Sequence, residues 1–355
     1  MGKISLLVVL FFTGIAIYFS FFIDSKLGVE SDEPLDKSLV VTDNQLFDVG
    51  NFSRSSKVLI EDGLHSLIGQ PITFLQEKYG DPKRVDLSAY DYEWWVYAES
   101  FENGYLQIGI EDDKVVSVFI IGDENLPTLP FQLGASYNEL NKMFKFEDQV
   151  SLNVRNNSYQ FNLTEEELKT RPLLYVDGIF IQLYFDTFTN ELSSIRYLDH
   201  TTIIKHRPYS VVYRGELLEA RPLSDNEWRK VEKGSSQQIY FITNEIRKKH
   251  SLQALTWDEE TANVAYLHSE DMRINDYFSH TSPDYGELKD RLKREGILYQ
   301  LAGENIAAKY VDAIEAVEGW LNSEGHRVNL LHEDFTHLGV GVYERYYTQN
   351  FITPW

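Results

Sequence analysis

The chain of 355 residues contains no cysteine, so it has no disulfides and no thiolate chemistry. An exported protein without disulfides suits a bacterial surface better than an animal secretory pathway. Basic residues are also scarce, because 33 Lys and Arg stand against 55 Asp and Glu, a formal net charge of −22. Such a surface repels nucleic acids and anionic lipid headgroups, which argues against both as general partners. The hydrophobic content of 43% is nevertheless ample for folded cores, and the length suits about two domains.

Long apolar runs are almost absent, with one exception near the N-terminus. Residues 4–23, ISLLVVLFFTGIAIYFSFFI, carry no charge and are long enough to cross one bilayer as a helix. The run ends in two phenylalanines and an isoleucine, not in the small-x-small pattern of a cleavage site. We therefore predict a signal-anchor helix over residues 1–23, with the folded part outside the cell; secretion after cleavage is the alternative. Residues 24–62 are polar and charged, and are expected to form a flexible tether.

The middle of the chain, residues 63–205, contains two segments of similar pattern. IGQPITFLQEKYG (68–80) and LGASYNELNKMFK (133–145) each place a glycine before apolar residues spaced three to four apart, as in a short helix. Three strand-like runs follow each: YEWWVY, YLQIGI and VVSVFIIGD in the first, SYQFNL, IFIQLYF and LSSIRYLD in the second. This common order predicts a tandem α+β repeat. Aromatic residues such as Tyr92 and Trp94 are expected to pack each sheet against its own helix, rather than to line a ligand site.

A change of pattern marks the C-terminal part of the chain. Residues 206–234 are irregular, with two prolines, and are interpreted as a linker. Residues 235–355 begin with SSQQ, a capping-box pattern followed by a helical stripe. Asp258 predicts the N-cap of a second helix, and LGVGVY and YYTQNF predict two final antiparallel strands. About four helices and two or more strands predict a separate α+β domain.

The motifs of this domain, in this order, resemble the CAP superfamily of cysteine-rich secretory proteins, antigen 5 and pathogenesis-related proteins. They run from NEIRKKHSLQALTWDEE through FSHTSP, GENIA, WLNSEGHR and THLGVGVY to TQNF. The bacterial branch is the most similar, and the preceding repeat resembles the CAP-associated N-terminal region of membrane-anchored proteins of Gram-positive bacteria. The resemblance implies an α-β-α sandwich with a cleft, in which many members gather two histidines and two glutamates.

Carried over by motif, the resemblance implies that His280, Glu304 and His326 lie in this cleft. The second glutamate departs from the pattern, since Ser323 occupies its position and the adjacent Glu324 is the substitute candidate. Neutral imidazoles bind Zn²⁺ and similar divalent ions well, and a carboxylate beside them can orient a ligand or accept a proton. We predict His280 and His326 as ligands of an open site for a divalent cation (Zn²⁺, Ca²⁺ or Mg²⁺). Glu304 and Glu324 complete the candidate catalytic cluster.

Structural roles are the alternatives for two of the polar residues. The carboxylate of Glu304 could instead accept backbone N–H groups at the start of a helix, since a buried carboxylate must be satisfied. His268, four residues before Met272 on a predicted helix, is expected to be packed or to lie on the surface.

Three functions fit these features. The first is a surface-tethered binding module for an unknown protein, lipid or cell-wall ligand. The second is a metal-assisted hydrolase of peptides or wall polymers, and the third is a structural envelope protein with a vestigial cluster. Ser323 in the place of a glutamate, and the lack of an H-E-x-x-H or Ser-His-Asp pattern, favour the first. Catalysis stays open as the second.

Overall fold

A computed structural model describes residues 38–40, 63–97 and 104–355 of the chain. The predicted signal-anchor lies outside these residues, as does most of the predicted tether. Across the described ranges, no helix has the length and apolarity that crossing a bilayer requires. Within the tether, strand β1 (Ser38–Val40) pairs in parallel with strand β11 (Ser210–Arg214). These three residues are therefore extended and paired with the first folded domain.

The first domain is a mixture of short helices and long antiparallel strands. After a 3₁₀ turn at Leu64–Leu67, its helices are α1 (Ile72–Tyr79), α2 (Tyr137–Phe144), α3 (Glu165–Thr170) and α4 (His200–His206). Its other strands are β2 (Arg84–Leu87), β3 (Glu93–Val96), β4 (Gly104–Glu111), β5 (Lys114–Gly122), β6 (Gln149–Val154), β7 (Asn157–Asn162), β8 (Leu173–Val176), β9 (Ile179–Asp186) and β10 (Glu191–Leu198).

Two sheets divide these strands. One has the order β2-β3-β4-β5-β10-β9-β8, and the other has the order β1-β11-β7-β6. Each of the six predicted strand runs forms a strand, but the two halves are not built alike. The second half contains the additional elements α3 and β8, and its β6–β7 hairpin leaves the large sheet for the small one. The halves share a helix and a long central hairpin, and their equivalence as a repeat is not confirmed.

The second domain is a sheet between two layers of helices. Its helices are α5 (Asp225–Lys249), α6 (Glu259–Ile274), α7 (Leu288–Arg294), α8 (Ala313–Leu321) and α9 (Glu324–Leu330). Its strands are β12 (Thr256–Trp257), β13 (Tyr299–Ala308), β14 (His337–Tyr343) and β15 (Tyr346–Pro354), in the order β12-β14-β15-β13. As predicted, the Asp258 side chain accepts a hydrogen bond from the Thr261 N–H and caps α6.

The LGVG motif explains how the sheet carries helices on both faces. Leu338, Val340 and Val342 are buried in the core that contains α5. Successive strand residues point to opposite faces, and a Cβ added to Gly339 or Gly341 would overlap the backbone of α6. Two glycines on one face of β14 therefore let α6 lie directly on the sheet.

Helix α5 begins earlier than the sequence pattern suggested. Its capping box is formed by Ser224 and Glu227, not by the SSQQ segment at 235. The predicted linker therefore contains β11 and the first ten residues of α5. The small residues near position 235 lie in the middle of this helix and are not its start. A Cβ added to Gly234 would lie 2.7 Å from Cβ of Asp86 in β2, so glycine permits β2 to pack closely against α5.

The two domains share one hydrophobic core. Tyr92 and Trp94 of the first domain are buried, as expected, but they belong to the cluster that contains Ile239 and Ile242 of α5. The expectation that they pack against their own helix is thus wrong. The opposite face of the large sheet packs on α1 and α2 through a separate cluster. Helix α5 consequently covers an apolar face of the first domain.

Candidate functional site

The AGENIA motif lies in β13, the edge strand of the second domain, and not at the start of a helix. Glycine at its second position permits a close approach, because a Cβ on Gly303 would lie 2.8 Å from both the Asn329 and the Phe335 side chains. The next two residues, Glu304 and Asn305, point to opposite faces of the sheet. An edge strand leaves room beside it for segments from both helical layers to approach each other.

Glu304 is a buried carboxylate whose two oxygens are both occupied. Oε2 accepts a hydrogen bond from Nη2 of Arg291 at 2.5 Å, and Oε1 is 2.9 Å from Nδ1 of His280. Nε2 of His268 lies 4.0 Å from Oε1. Burial alone would raise the pKa of Glu304, but the Arg291 charge and the His280 hydrogen bond outweigh it and lower the pKa to about 2. Glu304 is therefore an anion over the whole physiological range.

His280 lies in the loop between α6 and α7, and Arg291 holds that loop. Nη1 of Arg291 donates to the backbone oxygens of His280 and Gly286, at 2.9 Å in each case. The His280 side chain is 53% exposed although its Nδ1 contacts the buried Glu304. A carboxylate at Nδ1 favours the tautomer that leaves an electron pair on Nε2.

His326 lies on α9, on the other side of β13. Its Nδ1 is 2.8 Å from Oγ of Ser323, the N-cap residue of α9, whose side chain makes no capping bond to the backbone. Burial and the nearby charge of His280 lower the pKa of His326 to about 4, so the ring is neutral at pH 7. Asn305 donates to the backbone oxygen of His326 at 3.1 Å. Adjacent residues of GENIA thus hold the two histidine-bearing segments.

The structure brings together most, but not all, of the predicted cluster. His280 and Glu304 are in contact, and His326 is near enough to His280 for their charges to interact. Glu324 is exposed at the start of α9, and no hydrogen bond or ion pair links it to the cluster in the described part of the chain. Ser323, at the position of the missing glutamate, contacts His326 instead.

Two residues of this site were not predicted. Arg291 holds both Glu304 and the His280 loop, and the buried His268 donates from Nε2 to the Ser279 carbonyl at 3.0 Å. Of the two alternatives expected for His268, packed or on the surface, the structure shows the first, and it is packed beside the cluster. No motif marks Arg291. The sequence offered one indication, which was Glu304 itself: a carboxylate surrounded by small residues needs a cation or several hydrogen-bond donors beside it.

The side chains of this site could provide at most an open metal site. Among the described residues, no group of three or more histidine, aspartate or glutamate side chains is placed to hold a metal ion. Glu304 is already bound by Arg291 and His280, so two imidazole nitrogens remain. Structural zinc sites use four protein ligands, whereas a two-nitrogen site leaves most positions to water or to a ligand.

The first domain holds the turn between α8 and α9. Arg327 donates to both carboxylate oxygens of Asp186, at 2.9 and 2.8 Å. Asn322 accepts from the backbone N–H of Thr187 at 2.8 Å and donates to the Phe185 carbonyl at 2.8 Å. We use the name cleft turn for residues 322–327, which are the turn after α8 together with the start of α9. Ser323 and His326 both lie in this segment. The end of β9 therefore supports one wall of the cleft.

Comparisons with protein families match both domains. Residues 68–209 match the CAP-associated N-terminal family, and residues 240–353 match the cysteine-rich secretory protein family. The uncharacterized membrane protein YlbC of Bacillus subtilis is 50% identical over 293 residues, which are 82% of this chain and 84% of that protein. The uncharacterized protein YkwD of the same organism is 44% identical over 118 residues, 33% of this chain and 46% of that protein.

Solved structures share the architecture over both domains. An extracellular protein of Bacillus anthracis that contains an SCP domain is 43% identical, with a TM-score of 0.78, over 88% of this chain and 100% of that chain. A cysteine-rich secretory protein of Staphylococcus aureus is 23% identical, with a TM-score of 0.72, over 82% of this chain and 95% of that one. The second likeness concerns the fold alone.

Proposed function

This chain belongs to the CAP (cysteine-rich secretory protein) family and carries a CAP-associated N-terminal domain, and on that premise we propose that it is a binding protein of the bacterial cell envelope. Its ligand binds in the cleft between His280 and His326, outside the membrane. A divalent cation held by the two imidazoles can take part in that binding. The observation that carries the proposal is that both rings are anchored at Nδ1, by Glu304 and by Ser323.

The location rests on the relatives and on the N-terminal sequence. YlbC is named a membrane protein, and the B. anthracis structure is described as an extracellular protein. Residues 4–23 of this chain have the length and apolarity of a single bilayer crossing. We propose a single-pass anchor with both domains outside.

The cleft suits binding because its histidines are oriented before any ligand arrives. A carboxylate or hydroxyl at Nδ1 fixes ring orientation, and removing such a partner from a metal-binding histidine typically changes metal affinity 10- to 100-fold. When bound, a divalent cation would supply Lewis acidity and open coordination positions for an oxygen ligand. Glu304 orients His280, and Ser323 orients His326.

Hydrolysis is the less favoured function. A general base should have a pKa near the working pH, whereas the pKa of Glu304 is about 2 and that of His326 is about 4. Glu304, bound by Arg291, is suited to holding His280 and not to taking a proton from water. A hydrolase should release products from peptides or wall fragments, and those products should disappear with Glu304→Ala.

Metal binding by the full chain tests the proposed cleft. Zn²⁺ is added to the purified protein in a non-ionic detergent, and the unfolding temperature is recorded, since a ligand that binds the folded state alone raises it. We expect an increase that His280→Ala combined with His326→Ala removes. Glu304→Gln should weaken Zn²⁺ binding about 10- to 100-fold, because the carboxylate at Nδ1 is lost.

His200→Ala is the matched control, since His200 begins α4 in the first domain and lies far from the cleft in sequence. Its response to Zn²⁺ should equal that of the unmodified protein. An increase that persists in the double histidine variant would place the metal elsewhere, and the absence of any increase with Zn²⁺, Ca²⁺ or Mg²⁺ would remove the cation from the proposal.

A further inference from the structure

A groove lies between α6 and α7, and two of its lining residues, His268 and Arg291, also lie beside Glu304. Its volume is about 310 Å³, at the lower end of the range for small-molecule sites. Its apolar wall is formed by Val264, Leu267, Ile274 and Tyr285. Leu267, Ile274 and Tyr285 are 42%, 63% and 43% exposed. The groove is therefore open to solvent and large enough for a small apolar body.

The charges that line the groove are predominantly negative. Glu270, Asp271 and Glu295 line it together with Arg291 and Arg294. Arg291 is already neutralised by Glu304 at 2.5 Å. The guanidinium of Arg294 lies 4.6 Å from the centre of the Tyr285 ring. Three carboxylates thus stand against one uncommitted cation, and the excess favours a positively charged ligand.

Asp271 is the least exposed of these carboxylates, at 7%. It accepts hydrogen bonds from the hydroxyls of Tyr277 and Ser282 and from the amide of Asn275, which are all neutral donors. Within the described residues, no lysine, arginine or histidine forms an ion pair with it. A nearly buried carboxylate without a cation partner is a strong acceptor for an ammonium group.

His268 supplies a second, independent acceptor. Its side chain is fully buried and lines the groove. Since Nε2 donates to the Ser279 carbonyl, Nδ1 of the neutral ring carries the electron pair. Nδ1 makes no hydrogen bond in the described structure. Nε of Arg291 is also unpartnered and is a donor, but the carboxylates outnumber it.

We propose that the α6–α7 groove is a binding site for a small organic amine with an apolar body. The ammonium group lies against Asp271 and His268, and the apolar part packs on Leu267, Ile274 and Tyr285. Because Arg291 and His268 belong to both regions, the groove borders the cleft, but its ligand does not depend on the cleft histidines or on a metal.

Three probes that share a phenylethyl group and differ in charge test whether binding depends on the ammonium group or on the apolar part. Phenethylamine, 2-phenylethanol and 3-phenylpropionate are titrated against the full chain in non-ionic detergent, and binding is measured by saturation-transfer NMR. We expect saturable binding of phenethylamine, at least tenfold tighter than that of the alcohol, and weaker still for the carboxylate. Equal binding of the three probes, or no saturable binding of the amine, would overturn the proposal.

Two variants locate the site. Leu267→Lys places a cation in the groove at an exposed position and should abolish amine binding. Leu298→Lys makes the same change at a residue that is 73% exposed and not part of the groove, and it should leave binding unchanged. Asp271→Asn should weaken binding at least tenfold, with the unfolding temperature confirming a folded protein. Amine binding that survives Leu267→Lys would contradict the assignment, whereas His280→Ala with His326→Ala should leave it intact.

Discussion

At the scale of single residues, the pair Glu304 and Asn305 explains how an edge strand organises a cleft. Because the two side chains point to opposite faces, one contacts His280 and the other contacts the His326 backbone. Asn329 completes the connection by donating to the Glu304 carbonyl at 3.0 Å. Two segments that are 46 positions apart in the sequence are thus held by two neighbouring residues.

Removing the guanidinium of Arg291 should destabilise the folded protein. Arg291→Met leaves the Glu304 anion buried without its cation, and the loss of one partner of a buried pair lowers the free energy of unfolding by about 3–5 kcal/mol. The pKa of Glu304 is depressed, so its contribution to stability is complete above about 4.3, the ordinary value, and is lost as the pH falls towards about 2. Urea unfolding at pH 7 measures the change.

The double variant Arg291→Met with Glu304→Gln distinguishes the charge from the packing. It should recover part of the lost stability, because no unpaired charge remains. Lys293→Met, at an exposed position of the same helix, should change stability by less than about 0.5 kcal/mol. If Arg291→Met behaved like Lys293→Met, the ion pair would not be what holds Glu304.

At the scale of elements, the cleft turn depends on the end of a strand in the other domain. Asp186, at the end of β9, holds Arg327 with two hydrogen bonds. The charge of Asp186 is maintained although burial opposes it, because hydrogen bonds from His250 and Arg327 lower its pKa to about 2. Phe188 lies 4.6 Å from the Arg327 guanidinium and covers it.

Asp186→Ala should loosen the cleft turn without unfolding the protein. We expect backbone amides of residues 322–330 to exchange with deuterium several-fold faster, because the strongest contact between β9 and α9 is lost. Hydrogen exchange read by mass spectrometry measures this. Glu147→Ala, an exposed carboxylate of the same domain, should leave the exchange unchanged. Equal exchange in the two variants would show that α8 and α9 alone hold the turn.

Elements with strong local signals were predictable from sequence, and those defined by distant contacts were not. The six strand runs of the first domain and the Asp258 cap follow from alternation and capping chemistry. Helix α5 was predicted to begin ten residues late, because Gly234 and Ser235 resemble a break unless the close approach of β2 is known. In the candidate site, His280, Glu304 and His326 were predicted from motifs. Arg291 was not, since only the folded chain brings α7 to β13.

At the scale of the whole molecule, the domain interface contains a carboxyl group that titrates near neutrality. Glu318 of α8 is 3% exposed and accepts hydrogen bonds from Ser194 at 2.5 Å and Ser193 at 3.3 Å, both in β10. Burial raises the pKa of Glu318 to about 7, although these hydroxyls and Lys249 act in the opposite direction. Asp186, the other charge near it, adds to the increase.

Stability should therefore decline between mildly acidic and neutral pH. A raised pKa means that the contribution of neutral Glu318 is complete below about 4.3 and is lost as the pH rises through about 7. Relative to Glu318→Gln, which does not titrate, the free energy of unfolding should fall by about 3 kcal/mol between pH 4.5 and pH 8. Urea unfolding across this range measures the difference.

Glu147→Gln removes an exposed carboxylate and serves as the control for this comparison. Its difference from the unmodified protein should stay constant across the same pH range. A constant difference for Glu318→Gln as well would mean that the interface accommodates the charged carboxylate without loss.

The shared core has a consequence for how the chain is made. Synthesis proceeds from the N-terminus, and domains generally fold as they emerge. The large sheet of the first domain is complete once β10 has appeared, but the helix that covers its Tyr92 and Trp94 face ends only at Lys249. For about fifty residues of elongation the nascent chain presents an uncovered aromatic surface, which is the kind of surface that chaperones bind and that aggregates when they are absent.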